Sequence, residues 1–215
     1  VVACGRDRQK LQQLSDSEQV EYRVFDTNDR ERTSTALADL SDLDLVILNA
    51  GSCEYVDDAK QFDAELFERV FNTNVMGTVN CLAALLPNMQ KGSHLAIVSS
   101  SVTFLPLTRA EAYGASKAAL DYLTRTLAVD LDQQGISLSL IRPGFVDTPL
   151  TRLNDFPMPG QVSAEQASKI IRSGLDARKK EINFPFMFIS VMRLLSWLPH
   201  SLWHRIAVSM ARSAA

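Results

Sequence analysis

The sequence predicts an α/β protein built on a doubly wound parallel β-sheet with helices on both faces. Short apolar runs alternate with longer segments of helical length, and successive apolar runs lie about 25 to 50 residues apart. The run at residues 45–48 is continuously apolar instead of alternating, which is typical of a parallel strand covered on both faces. Strands that alternate with such helices form βαβ units, so we expect one three-layer α/β/α domain over residues 1–215.

The elements follow in order along the chain. The first residues indicate the end of a strand that runs into a loop, and the later apolar runs each end in a small or polar cluster. Residues 181–185 offer a further short strand. The predicted strands are residues 20–25, 45–48, 95–98 and 136–141, and the predicted helices are residues 7–14, 29–40, 63–89, 113–133 and 164–177.

Residues 150–215 are expected to form a substrate lid and a helical tail. The lid is predicted at residues 154–160, which are rich in turn-forming residues. The tail at residues 187–210 is rich in large apolar residues, but charged residues and Pro199 interrupt it, so it is too broken to span a bilayer. Two short amphipathic helices divided near Pro199 are expected instead.

Composition and charge exclude several classes of protein. Hydrophobic residues make up 46% of the chain and charged residues 22%, which is the profile of a globular protein and not of a disordered or collagen-like one. The net charge of −3 and the absence of a long basic run argue against a nucleic-acid partner. Cys4, Cys53 and Cys81 are an odd number without metal-type spacing, which favours reduced thiols in a cytoplasmic protein.

Four predicted strands end in clusters that could bind a ligand. In an open parallel sheet, ligands bind in the crevice outside the carboxyl ends of the strands. The clusters lie at residues 25–27, 48–51, 98–101 and 141–144, and they are expected to line one crevice.

Tyr113 and Lys117 form the chemically most informative pair. At a spacing of i and i+4 on a predicted helix, both side chains lie on one face, where a nearby ammonium lowers the pKa of a phenol. The pair alone is a weak signal, because most such pairs belong to a solvated helix face. Ser100 at a strand end, the 49–51 turn and Asn74 inside the long helix strengthen it.

With these residues in this order, the sequence resembles the short-chain dehydrogenase/reductase family, closely up to about residue 150 and more loosely beyond. The resemblance implies a Rossmann fold that binds NAD or NADP. It implies that Tyr113 supplies the proton, Lys117 holds the ribose hydroxyls, Ser100 binds the carbonyl oxygen and Asn74 interrupts its helix to hold a water. These four residues, Asn74, Ser100, Tyr113 and Lys117, would form the catalytic tetrad.

The resemblance also implies a set of cofactor contacts. The Asn49-Ala50-Gly51 turn would support the sheet and approach the adenosine ribose. Asp26 and Thr27 would lie beside the adenine ring. Pro143, Gly144, Val146 and Thr148 would lie against the nicotinamide.

Arg6, directly after Gly5, predicts a preference for NADP over NAD. An arginine at this position accommodates the ribose 2′-phosphate, and Arg8 could assist. An exposed arginine at a helix start is the alternative interpretation. Asp7 is interpreted as an N-cap and not as a ribose ligand.

The sequence departs from the family pattern at both ends. The glycine-rich phosphate turn has no counterpart, so we expect an omitted N-terminal βα unit of roughly 25 to 35 residues. At the other end, the apolar tail is typical of a core or a subunit interface. A lid over a lipophilic substrate and a contact with a membrane surface remain alternatives. His200 and His204 lack a third ligand, so no metal site is predicted.

The expected function is hydride transfer between NADP(H) and a carbonyl or alcohol substrate, which could be lipophilic. A non-catalytic, NADP-binding regulatory protein on the same fold is the alternative, and a sugar-nucleotide epimerase is disfavoured by the short region after Gly144. The two long helices at residues 63–89 and 113–133 suggest a homodimer or homotetramer.

Overall fold

The computed structural model describes residues 1–15 and 19–213 and confirms the α/β fold class. Strand β1 (Val2–Gly5) begins the chain, α1 (Arg8–Ser15) follows, and β2 (Glu21–Val24) pairs with β1 in parallel. Asp7 caps α1, because its carboxylate accepts a hydrogen bond of 3.1 Å from the Lys10 backbone N–H.

The larger sheet contains four parallel strands. They are β3 (Leu45–Leu48), β4 (His94–Val98), β5 (Ser137–Pro143) and β8 (Glu181–Phe184), in the spatial order β3-β4-β5-β8. A short parallel pair, β6 (Val146–Asp147) and β7 (Val162–Ser163), lies beyond the end of β5.

Helices cover both faces of the larger sheet. They are α2 (Arg30–Leu37), α3 (Ala64–Phe71), α4 (Gly77–Leu85), α5 (Glu111–Gln133), α6 (Ala164–Asp176), α7 (Phe186–Ser196) and α8 (His200–Ser213).

The core is arranged around β4, all of whose residues are buried. Leu95 and Ile97 pack with residues of α4 and α5 on one face. Ala96 and Val98 pack with residues of α6 and β8 on the other. Successive side chains of a strand point to opposite faces, so a strand between two helical layers must be apolar at every position.

The expected single sheet is divided. Among the described residues, β1 and β2 form one hydrogen-bonded sheet and β3 to β8 form others, with no strand bridging β1 and β3. Val46 packs into the core beside α4, whereas Leu45 and Ile47 on the opposite face of β3 are 45% and 46% exposed. The expected N-terminal βα unit stays a prediction.

The predicted helix at residues 63–89 is confirmed, but it is not α-helical throughout. Helix α3 passes into one π-helical turn (Asn72–Met76), then into α4 and a 3₁₀ turn (Leu86–Asn88). The Thr78 hydroxyl, on the first turn of α4, donates a 2.7 Å hydrogen bond to the Asn74 carbonyl oxygen. The expected irregularity at Asn74 is thus present as a π-helical turn, and the water that Asn74 would hold stays a prediction.

The tail folds as two helices, α7 and α8, which separate at Pro199 as predicted. Their inner sides pack on residues 104–107 through Met192 and Trp203. The Trp203 indole N–H donates to the Pro106 carbonyl oxygen at 2.9 Å. Within the part of the chain that is described, no helix is long and apolar enough to cross a membrane.

Candidate active site

The parallel strands bring the predicted site residues to one edge of the fold. Arg6 follows β1, and Asp26 and Thr27 follow β2. The 49–51 turn follows β3, and Ser100 follows β4. Pro143 ends β5, Gly144 follows it, and Val146 and Thr148 lie on and just after β6. The carboxyl ends of parallel strands meet at a common edge, where ligands of open α/β sheets bind.

Tyr113 and Lys117 lie on the first turns of α5, beside the end of β4. The Lys117 Nζ lies 5.8 Å from the centre of the Tyr113 ring. It donates a 3.0 Å hydrogen bond to the Val98 carbonyl oxygen, and its side chain is buried. The Ser99 hydroxyl donates to the Lys117 carbonyl oxygen at 3.2 Å, which ties the helix to the strand end.

Burial shifts the pKa values of both side chains away from their ordinary range. Desolvation raises the pKa of Tyr113 to about 12, although a hydrogen bond from Ser100 lowers it. The lowering of this pKa that was expected from Lys117 is therefore not found in the free protein, because burial outweighs it. Desolvation lowers the pKa of Lys117 to about 8, against the effects of Cys53 and Asp121. The phenol is therefore protonated near neutral pH and can act as a proton donor.

Ser100 is fixed by the chain that follows it. Its backbone is extended and caps a 3₁₀ turn (Ser101–Phe104). Its Oγ accepts a 3.2 Å hydrogen bond from the Val102 backbone N–H. Because that bond uses a lone pair and not the hydroxyl proton, the hydroxyl can still donate to Tyr113 or to a substrate oxygen.

Asn74 is fully buried and connects three segments of the site. Its Oδ1 accepts from the Ser52 backbone N–H at 2.7 Å, and its Nδ2 donates to the Ser52 carbonyl oxygen at 2.9 Å. Its Nδ2 also donates to the Ser116 hydroxyl at 2.9 Å, and that hydroxyl donates to the Tyr113 carbonyl oxygen at 2.7 Å. Asn74 thus locks the turn after β3 to the helix that carries Tyr113.

Gly51 marks a close approach between these groups. A Cβ atom at this position would lie 3.2 Å from the Asn74 Oδ1 and 3.3 Å from the Lys117 Nζ. A side chain there would displace the amide or the ammonium. The turn at residues 49–51 therefore packs directly against the Asn74 amide and the Lys117 ammonium.

The segment after β5 is closely packed and offers small residues to a flat ring. The Gly144 backbone N–H donates to the Phe184 carbonyl oxygen at 2.6 Å, and a Cβ at Gly144 would lie 3.0 Å from the Phe188 ring. The Thr148 backbone N–H donates to the Thr151 hydroxyl at 3.0 Å. With Lys117 and Gly51, these residues fit a nicotinamide dinucleotide across the strand ends.

At the other end of the crevice, Arg6 and Asp26 face each other. The Arg6 guanidinium lies 3.6 Å from the Asp26 carboxylate, and both side chains are largely exposed. The Thr27 carbonyl oxygen accepts from the Asn80 side chain at 2.8 Å, which fixes the chain after β2. Arg6 is thus held at the strand end without being buried there.

The sequence analysis did not identify an aromatic cluster next to the site. The ring centres of Tyr55 and Phe156 lie 5.5 Å apart, those of Phe145 and Phe156 lie 6.1 Å apart, and those of Phe145 and Phe188 lie 5.5 Å apart. Phe145 directly follows Gly144, which is the one signal in the sequence that could have pointed to it.

The loop predicted as a lid contributes Phe156 to this aromatic cluster and is bonded to neighbouring loops. The Tyr55 hydroxyl donates to the Asn154 side chain at 3.0 Å. The Arg109 guanidinium lies 2.8 Å from the Asp155 carboxylate and 2.8 Å from the Asp57 carboxylate. It also lies 5.4 Å from the centre of the Tyr55 ring. Arg109 therefore joins the lid to the loop after β3.

A sequence model of the short chain dehydrogenase family matches residues 1–155. The chain belongs to this family. It is 34% identical to an oxidoreductase of Myxococcus xanthus that is itself described as uncharacterized, over 96% of this chain and 86% of the relative. It is 30% identical to serine 3-dehydrogenase of Rhizobium radiobacter, over 70% of this chain and 64% of the relative.

A solved structure extends the likeness to the whole fold. A short chain dehydrogenase from Burkholderia cenocepacia, determined in complex with NADP, covers 95% of this chain and 96% of its own with a TM-score of 0.80 and 20% identity. The protein is therefore an oxidoreductase that acts on CH–OH or C=O groups with NAD(P). The non-catalytic alternative finds no support in these comparisons.

Proposed function

We propose that the protein uses NADPH to reduce a lipophilic carbonyl compound, with Tyr113 as the proton donor. The observation that carries the proposal is that Tyr113, Lys117 and Ser100 lie together at the end of β4, with the phenol protonated near neutral pH. Proton donation to a carbonyl oxygen needs such a group, held within hydrogen-bond reach and protonated at the working pH.

Each member of the tetrad has a separate part in this proposal. The bound cofactor supplies the hydride for the carbonyl carbon, so negative charge develops on the carbonyl oxygen. Ser100 donates a hydrogen bond to that oxygen and fixes its position, and Tyr113 transfers its proton to it. Lys117 releases the Val98 carbonyl to hold the ribose hydroxyls, and its positive charge favours the tyrosinate that remains.

Asn74 has a positioning part in the same reaction. Its side-chain amide is fully used by Ser52 and Ser116, so it holds the turn at residues 49–51 and the helix of Tyr113 at a fixed separation. We propose in addition that the wide π-helical turn at this position lets a water reach Lys117 and return a proton to the site.

The preference for NADPH is assigned to Arg6. Asp26 alone would repel a 2′-phosphate, whereas the exposed Arg6 guanidinium beside it can turn to pair with the phosphate oxygens. Substitution Arg6→Ala is expected to weaken NADPH binding at least tenfold and NADH binding much less. The measurement is a fluorescence titration with each dinucleotide.

Lys10→Ala serves as the matched control for this test. Lys10 is an exposed base one turn further along α1, and it pairs with Asp7 and not with Asp26. Its loss should leave the ratio of the two dissociation constants unchanged. Equal losses of NADPH and NADH affinity in Arg6→Ala would remove Arg6 from the 2′-phosphate.

The lipophilic substrate class rests on the aromatic cluster of Tyr55, Phe145, Phe156 and Phe188. The arginine beside this cluster, Arg109, is already neutralised by two carboxylates and is not free to hold an acidic substrate. We therefore expect kcat/KM to rise with the apolar area of an aldehyde or ketone, by roughly tenfold for every two buried methylene groups.

A steady-state panel tests the substrate class, with NADPH for carbonyl compounds and NADP+ for alcohols. It should contain aliphatic and aryl ketones of increasing size and, in the oxidative direction, serine, because a relative of this chain is a serine 3-dehydrogenase. Faster turnover of serine than of any lipophilic alcohol would contradict the assignment. Phe156→Ala should lower kcat/KM most for the largest ketone.

The location and assembly of the enzyme are proposals of the same kind. We propose a cytoplasmic homodimer or homotetramer that associates through α4 and α5. The support is the outward side of α5, where Tyr122 and Val129 are 75% and 64% exposed. Light scattering on the purified chain measures its molar mass in solution. The mass of a monomer would contradict the proposed assembly.

A further inference from the structure

The outward side of α7 presents large apolar side chains to solvent. We name this surface the tail face and define it by five residues whose exposed fractions lie between 54% and 84%. Four of them recur at intervals of three or four residues, so they form one stripe along the helix. The five residues are Phe186, Met187, Val191, Leu194 and Trp197.

The tail face is not the side by which the tail is held to the protein. The inner sides of α7 and α8 meet in one cluster, in which Met192 and Trp203 are buried against Leu105. The outer side of α8, with the exposed residues Leu202 and Arg205, points away from that same cluster. Both helices therefore turn their outer sides away from the core.

The charge of the tail differs from that of the rest of the chain. Residues 185–215 contain three arginines, Arg193, Arg205 and Arg212, together with two histidines, and no aspartate or glutamate. Since the net charge of the whole chain is −3, the preceding residues are acidic overall. Arg193 pairs with Glu181 at 3.0 Å, whereas Arg205 on α8 is exposed. An exposed apolar helix in a segment of net positive charge has the composition of one that binds anionic lipid.

We propose that the tail face docks on the surface of a membrane that contains anionic lipids. Helix α7 has 11 residues and is about 16 Å long, so it lies in the plane of the interface and does not span the bilayer. Trp197, at its carboxyl end, is a residue type that sits at the headgroup level. Arg205, which is exposed on α8, pairs with lipid phosphates.

A second copy of the chain fits the tail face less well than a lipid surface. In a two-fold symmetric dimer, the same patch meets itself. The acid-free tail would then face an identical acid-free tail, and its arginines would find no carboxylate within the tail opposite. Anionic headgroups supply the missing charge.

Helix α7 also contributes a side chain to the candidate active site. Phe188, on the side of α7 away from the tail face, packs against Phe145 and closely approaches Gly144. A lipophilic substrate in the bilayer would then be close to the site. This consequence depends on the proposed function, whereas docking does not, so the experiment measures docking alone.

Co-sedimentation with vesicles tests the proposal. The intact chain should sediment with vesicles of phosphatidylcholine and phosphatidylglycerol, less with phosphatidylcholine alone, and less again as salt is raised. Leu194→Glu should lower the partition coefficient by about tenfold or more, because it removes an apolar contact and adds a repelled charge. Leu14→Glu is the matched control, since Leu14 is a 57% exposed leucine on α1.

The two tryptophans of the chain allow a second, local readout. Trp203→Phe leaves Trp197 as the only reporter, and Trp197→Phe leaves the buried Trp203. Anionic vesicles should shift the emission of the first variant to the blue and leave that of the second unchanged. Thermal unfolding of each variant shows whether it is folded.

Three results would overturn the proposal. The first is the absence of association with anionic vesicles. The second is association that neither Leu194→Glu nor Trp197→Phe reduces. The third is that the parent chain forms a dimer and does not bind vesicles, whereas Leu194→Glu is a monomer. That result would assign the tail face to contact with a second copy of the chain.

Discussion

At the scale of single residues, the candidate site depends on burial more than on paired charge. Lys117 has no carboxylate partner among the described residues, and its ammonium donates to the Val98 carbonyl. Burial disfavours the charged forms of both side chains. In the absence of a ligand, the pKa of Lys117 is therefore lowered and that of Tyr113 is raised. A polar cofactor bound beside these side chains favours their charged forms. The affinity for the cofactor should therefore depend on pH.

The dissociation constant of NADPH should depend on pH through Lys117. Its pKa of about 8 in the free protein means that it is charged below that pH and neutral above it. A bound cofactor favours the ammonium, so affinity is constant below about pH 8 and falls above it, by at most tenfold per pH unit. A fluorescence titration from about pH 6 to about pH 10 measures this.

Lys117→Met provides the control for the pH dependence. A neutral side chain of similar length should weaken binding at low pH and abolish the decline above about pH 8. An affinity of the parent chain that stays constant up to about pH 10 would contradict the assigned role of Lys117.

At the scale of elements, the site depends on how closely α6 and β8 pack. The β8 residue Phe184 accepts the Gly144 backbone hydrogen bond, and α6 covers β8 through Gly174. A Cβ at Gly174 would lie 2.6 Å from the Ile182 Cδ1 and 2.7 Å from its Cγ1. The helix can approach the strand this closely only because position 174 has no side chain.

Gly174→Ala should therefore destabilise the protein by about 1–3 kcal/mol, although alanine favours a helix. Urea unfolding followed by circular dichroism measures the change. Ser173→Ala, at the exposed neighbouring position, should change stability by less than about 0.5 kcal/mol. The double variant Gly174→Ala/Ile182→Ala should lose less than the sum of the two single losses, and simple additivity would refute the packing argument.

At the scale of the whole molecule, the residues that lie next to strands were predictable and the residues that connect distant loops were not. Apolar runs indicated β3, β4 and β5, because a parallel strand that is covered on both faces is apolar at nearly every position. The same strand ends indicated the positions of Ser100 and the 49–51 turn. Helical spacing indicated Tyr113 and Lys117.

The remaining features arise from contacts between segments far apart in the sequence. Arg109 pairs with both Asp57 and Asp155, and Tyr55 packs against Phe156. No periodic pattern in the sequence predicts these contacts. The division of the sheet was also not predicted, because the pairing of a strand depends on which neighbour is available and not on its own residues. Ser116 was missed for a similar reason, since its role appears only beside Asn74.

The central claim is that Tyr113 donates the proton in a reaction whose cofactor is held by other residues. Tyr113→Phe removes the hydroxyl and keeps the ring, so turnover of NADPH with a ketone substrate should fall by at least about 100-fold. The dissociation constant of NADPH should change little. Tyr122→Phe, a 75% exposed tyrosine on the same helix, is the control and should keep its activity.

Single-turnover oxidation of NADPH by the parent chain, Tyr113→Phe and Tyr122→Phe measures this most directly. We predict normal binding by all three, with rapid turnover by the parent chain and Tyr122→Phe alone. Turnover by Tyr113→Phe at the rate of the parent chain would contradict the account.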